Sequence, residues 1–140
     1  MAFLRSSGNF RNLLEAMHTF VAEGGTIEIT FGADTFAGNT RGTDYEAVKL
    51  LLSEFEEEPK VKFYLYHERW RTFHPKVYLF SNEQDGSALL IVGSSNWSDG
   101  GLVNNIEANV LLKLQLDKED HRQCYQMISE YFATYWAEVE

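Results

Sequence analysis

A single cysteine, Cys124, stands among 140 residues, so no internal disulfide can hold this chain together. No apolar run approaches the roughly eighteen residues a bilayer-spanning helix needs, which argues against membrane insertion. Met1-Ala2-Phe3-Leu4-Arg5 offers neither an apolar signal core nor a cleavage site. With the lone cysteine, this predicts a cytoplasmic location. Internal repeats, low-complexity stretches and linkers are also missing, so one domain over residues 1–140 is expected. No grouping of His, Cys, Asp and Glu has metal-ligand spacing, and neither a metal nor another cofactor is expected. Basic residues are scarce: 12 Lys and Arg against 21 Asp and Glu give a formal net charge of -9. That balance argues against indiscriminate binding to nucleic acid, which relies on neutralising phosphates.

An apolar share of 44% is enough for a packed core. Phe10, Leu13, Leu14, Met17, Phe20 and Val21 recur at helical spacing, and Gly24-Gly25 ends the run. Residues 26–31 alternate as a half-buried strand, and residues 32–42 read as a polar loop. Thr43 with Glu46 forms a capping box for a helix with Tyr45, Val48, Leu51, Leu52 and Phe55 inward, stopped by Pro59. Residues 61–66 and 73–80 read as strands, and Asp85-Gly86 turns the chain. The unbroken apolar run 88–92 predicts a central strand covered on both faces. Residues 106–114 complete the strands, and Asp117 is expected to cap a final helix. Cys124, Met127, Ile128, Tyr131, Phe132 and Tyr135 form that helix's apolar stripe, which makes Cys124 a buried position. The order predicts an α/β fold, a mixed sheet sandwiched between helices.

Charge is unevenly placed. Lys60, Lys62, Arg69, Arg71 and Lys76 crowd five of the 12 basic residues into positions 60–76, while acid concentrates at 54–58 and after Asp117. This reads as an acidic body with a basic mouth; the plainer alternative is a set of solvated faces. Within the basic segment lies His74-Pro75-Lys76, followed by Gly93-Ser94-Ser95-Asn96 and then Glu107. On a strand, His74 and Lys76 share one face, and Ser94 and Asn96 repeat that arrangement. Together they supply a nucleophile, a fixed cation, two hydrogen-bond partners and a carboxylate to orient an imidazole. That set suits attack on a phosphate.

These residues resemble the signature of the phospholipase D superfamily, H-x-K-x4-D followed by G-S-x-N. His74 and Lys76 match its first positions; Gly93, Ser94 and Asn96 match the second piece; Ser81 stands at the Asp position. Glu107 falls eleven residues after Asn96, where single-motif nucleases of this family carry a glutamate. The resemblance implies a phospholipase D-like fold. It also implies a phosphohistidine formed on one His74, with the partner subunit's His74 protonating the leaving group. The family's site needs two copies of the motif and this chain has one, so a homodimer is implied. Lys76 and Asn96 would then clamp the phosphate, Ser94 would bond phosphate or a neighbouring motif residue, and Glu107 would hold the far ring nitrogen of His74.

Trp70 and Trp97 border the motif, where a flat ring can stack on a base; core packing is the equal alternative. Arg69 and Arg71 flank Trp70, and Arg71 is a candidate backbone contact. His67 is a candidate flanking residue, whereas His18 and His121 read as structural or solvated. The leading expectation is therefore a metal-independent phosphodiesterase acting on nucleic acid, DNA favoured. Two alternatives stand beside it. One is a hydrolase or transferase of phospholipid or another small phosphodiester. The other is a nucleic-acid-binding module of a larger restriction or helicase-type protein.

Overall fold

The computed structural model describes residues 8–32, 43–66, 73–98 and 100–136. Its contacts divide the chain into two compact units, residues 1–75 with 95–106 and residues 76–94 with 107–140. Strand pairing follows the same division among the described residues, one sheet parallel and the other antiparallel.

The first unit opens with α1, Phe10–Ala22, which buries Phe10, Leu14, Met17 and Val21 along one stripe. Gly24 donates to the Val21 carbonyl and Gly25 to the Phe20 carbonyl, both at 3.0 Å, the paired bonds of a Schellman stop. Gly24 sits at φ +99°, where a Cβ is strained. Gly24→Ala should cost about 1–2 kcal/mol, read as a lower urea midpoint with an unchanged slope.

Strand β1, Ile27–Gly32, runs parallel to β2, Val61–Tyr66, with Ile27 opposite Val61 and Gly32 opposite Tyr66. Helix α2, Tyr45–Glu54, makes the crossover that parallel strands require. Its cap is Asp44, whose carboxylate accepts from the Glu46 N–H at 3.1 Å. The expected cap, Thr43, is occupied elsewhere: its hydroxyl donates to the Gly32 carbonyl at 2.7 Å, tying the helix start to the end of β1. The inward line of α2 also differs from expectation. Ala47, Leu51 and Phe55 are buried, whereas Tyr45 and Leu52 are 73% and 50% exposed. Spacing of four keeps the buried three in one row, and Ala47 lets the helix approach closely. Phe63 of β2 packs its ring against Phe31 and Phe55, at centroid distances of 6.5 and 6.2 Å.

The second unit is the antiparallel sheet β3–β4–β5 with helix α3. Its strands are Val77–Asn82, Ser87–Gly93 and Asn109–Gln115. Gly86, at φ +68°, turns the chain between β3 and β4, with Asp85 accepting from the Ser87 N–H at 3.0 Å. Strand β4 is central, as the sequence predicts, with Leu90 buried between Leu79 and Leu112 in the register. Its two faces are covered unequally: Ala88 and Leu90 are buried, Leu89 and Ile91 half-buried.

Helix α3 spans Glu119–Ala133, and Lys118 rather than Asp117 is its N-cap, with no side-chain capping bond. Glu119 and Asp120 supply the negative charge that the helix start favours. Bonds from Gln123 and then Arg122 hold the Glu119 carboxyl below its usual range. His121 accepts the Gln115 N–H at 2.9 Å, fastening the helix to the end of β5. Cys124 is half-buried, not buried as expected. Aromatic rings pair across the helix C-terminus, Tyr131 edge-on to Tyr135 and Phe132 stacked on Trp136, at centroid distances of 5.1 and 5.6 Å. The Tyr131 phenol is pushed up to about 12 by burial and then by Tyr135.

Candidate active site

The approach to the motif is set by Phe73, which is buried with its ring centroid 5.1 Å from that of Tyr66. Pro75 has no N–H to give a ladder and biases His74 toward extended backbone. Strand β3 accordingly begins at Val77, so His74 and Lys76 precede it instead of lying on it as the sequence suggests. His74 is exposed and belongs to the first unit; Lys76 is buried and belongs to the second.

Within the second unit, Lys76, Ser94 and Glu107 are gathered by the end of the antiparallel sheet. The Gly93 N–H donates to the Lys76 carbonyl at 3.2 Å, which continues the β3–β4 register by one step. The Ser94 N–H donates to the Ala108 carbonyl at 3.1 Å, and the Ser94 hydroxyl accepts from the Ala108 N–H at 3.0 Å. Ser94 is thereby clasped to the residue next to Glu107.

Gly93 has a steric reason. A Cβ there would meet the Asn109 side-chain oxygen and the Ala108 carbonyl, and would come within 2.7 Å of the Asn109 Cα. Real Cβ atoms do not tolerate such contacts, so any side chain at position 93 displaces the segment that carries Glu107.

Glu107 is half-buried and its charge acts on two groups. Burial lowers Lys76 below the ordinary lysine value, while Glu107 pulls it back up. Burial also drives the Tyr78 phenol far above its normal value, and Glu107 adds to the rise. Tyr78, on β3, follows Lys76 by two positions, a spacing that would have flagged it in the sequence as a neighbour had the strand been read through Lys76.

The stability consequence follows from the sign of that shift. An unfolded tyrosine ionises near pH 10, whereas folded Tyr78 keeps its proton, so stability is lost as pH rises above 10. Tyr78→Phe should shrink the loss between pH 9 and 11 by about 1 kcal/mol, measured by urea unfolding at both values.

Asn96 and Trp97, both half-buried, belong to the first unit. The Ser98 N–H donates to the Asn96 carbonyl at 2.9 Å, and the Gly101 N–H donates to the Ser98 hydroxyl at 3.1 Å. Gly101 lies in a π-helical turn, Gly100–Asn104, and a Cβ on it would come within 2.5 Å of the Asn96 N. Gly101 therefore fixes how closely the turn packs under Asn96, a role that periodicity in the sequence does not reveal. Gly101→Ala should destabilise the protein by about 1–3 kcal/mol, because the added methyl overpacks against the Asn96 backbone, read as a lower urea midpoint.

Ser81, at the signature's Asp position, is exposed and accepts from the Tyr125 hydroxyl at 3.3 Å, a tie between β3 and α3. Lys62, exposed, is paired across the parallel strands with Glu28 at 3.7 Å. His18 lies 3.3 Å from Glu54 and stacks on Phe55, in keeping with a structural role. His67, Arg69, Trp70 and Arg71 lie outside the described residues. Among the described residues no group of three or more His, Cys, Asp and Glu is placed to hold a metal ion. No helix among them is long and apolar enough to cross a membrane.

No curated relative matches the sequence. In structure, the chain is similar to NucT from Helicobacter pylori, with a TM-score of 0.55 at 20% identity, over 96% of this chain and 76% of that one. Residues 2–136 match the family described as "Cardiolipin synthase, PLD-like domain". With its α/β architecture, and with His74, Lys76, Ser94, Asn96 and Glu107 standing in the order of the signature, the chain belongs to the phospholipase D-like family.

Proposed function

We propose that this single phospholipase D-like domain is a metal-independent phosphodiesterase that cleaves nucleic acid, DNA preferred, as a cytoplasmic homodimer. The observation that carries this reading is the buried Lys76, its carbonyl held by the Gly93 N–H and its charge in the electrostatic reach of Glu107, two positions after an exposed His74. A buried cation beside a carboxylate is costly in a purely structural setting, and it has a use where an anionic ester must be gripped.

In the proposed reaction a ring nitrogen of His74 attacks phosphorus. An N–P bond forms as the P–O bond to the leaving oxygen breaks. The other subunit's protonated His74 gives its proton to that oxygen. It then takes a proton from water, which attacks phosphorus, breaks the N–P bond and returns the electron pair to the first imidazole. Lys76 and Asn96 neutralise the phosphoryl oxygens, and Glu107 accepts from the far ring nitrogen to fix the tautomer. Arg69, Trp70, Arg71 and Trp97 would track the backbone and stack on bases.

The family's description favours a second reading, transfer or hydrolysis at a phospholipid headgroup. One experiment separates the two. Labelled single- and double-stranded oligonucleotides and phosphatidylglycerol vesicles are offered in parallel, each with and without EDTA. Cleavage of oligonucleotide that persists in chelator is the expected result. Turnover of lipid alone selects the second reading, and salt-sensitive oligonucleotide binding without turnover selects a binding module.

A further inference from the structure

Three strands meet at one row of the antiparallel sheet. Lys76 stands opposite Gly93 through the bond from the Gly93 N–H, and Gly93 stands opposite Asn109 on β5. Directly opposed residues carry their side chains on the same face. Because the middle position is a glycine, no side chain of β4 stands between the two flanking ones, and the Ala108–Asn109 backbone closes down over it. The Asn109 side chain turns into that space: its carboxamide oxygen lies too near the place of a Gly93 Cβ for both to fit. Neighbouring strands are about 4.8 Å apart, so an oxygen lying over Gly93 on the middle strand is carried about half of the way from β5 toward β3, and the long Lys76 side chain can span the rest.

We propose that Asn109 is a positioning residue that reaches across Gly93 to orient the Lys76 ammonium on the substrate phosphate. This inference rests on Lys76 being the phosphate clamp. An ammonium has three donors and no acceptor, and a buried one keeps a fixed direction only if oxygens fix it. The charge of Glu107 already acts on Lys76, and Asn109 would add a neutral acceptor two residues further along the same chain segment. A neutral carboxamide holds the ammonium without cancelling its charge, leaving that charge for the phosphate. Gly93 then has a purpose beyond the turn into the motif loop: it is the gap through which the carboxamide passes.

The test reads Lys76 itself. In protein carrying 13Cε-labelled lysine, the Lys76 resonance is assigned by its loss in Lys76→Met and followed against pH. Asn109→Asp, nearly the same size, places a second carboxylate by the ammonium and should raise the Lys76 midpoint by about one pH unit. Asn109→Leu removes the acceptor and should lower it. For cleavage, Asn109→Leu should reduce kcat about 10-fold with little change in KM. The alkaline limb of its pH profile should move in the same direction as the Lys76 midpoint. A Lys76 titration identical in wild type, Asn109→Asp and Asn109→Leu overturns the proposal, whatever happens to melting temperature. Because that titration needs no turnover, an inactive protein with the predicted shifts defeats the phosphodiesterase reading and leaves the Asn109–Lys76 contact standing.

Discussion

His74→Ala should abolish phosphodiester cleavage, with turnover lower by at least about 10⁴-fold, while the protein stays folded. Removal of a covalent nucleophile leaves only binding and electrostatic help, and such losses elsewhere reach or exceed this size. In the proposed dimer the substitution removes both the attacking imidazole and its proton donor, so no residual half-activity is expected from the homodimer. His74 is exposed, which limits the effect on stability to about 0.5 kcal/mol. The measurement is initial rate on a labelled oligonucleotide beside a thermal melt of the same preparation. Wild-type turnover in the folded variant removes His74 from the mechanism.

Lys76→Met should lower turnover by about 10²- to 10³-fold without lowering the melting temperature. The two outcomes have different physical origins. In the proposed mechanism turnover falls because the phosphoryl oxygens lose their cation. Stability holds because burial already works against the ammonium, as its lowered pKa shows, and methionine fills a similar volume without that cost. Lys76→Arg should fail to restore activity, since a planar fork does not fit the space of a compact ammonium. Equal losses of activity and stability in Lys76→Met would mark Lys76 as a structural residue.

How much of this was legible in the sequence depended on whether the signal was local. The Schellman stop at Gly24-Gly25 needs only neighbouring residues, and it appears as the sequence suggests. The central position of β4 follows from an apolar run that needs cover, and the register puts it between β3 and β5. The order of His74, Lys76, Ser94, Asn96 and Glu107 was readable because a signature is a sequence pattern. Tertiary competition was not readable. Thr43 is as good a cap as Asp44 in isolation, but its hydroxyl bonds Gly32, a residue brought near only by the fold. Tyr45 looks like a core residue by periodicity, yet small Ala47 takes the buried row. The roles of Gly93 and Gly101 are likewise invisible in one dimension. Each exists because a second chain segment passes where its side chain would be.

The central claim is a covalent bond between His74 and the scissile phosphorus. Wild-type protein is mixed with an internally labelled oligonucleotide, quenched in alkali within the first turnover, digested and mapped by mass spectrometry. The account predicts an acid-labile, alkali-stable phosphoryl adduct on the peptide containing His74, formed equally well in EDTA and lost in His74→Ala. Steady cleavage with no adduct on His74, or an adduct on any other residue, would contradict it.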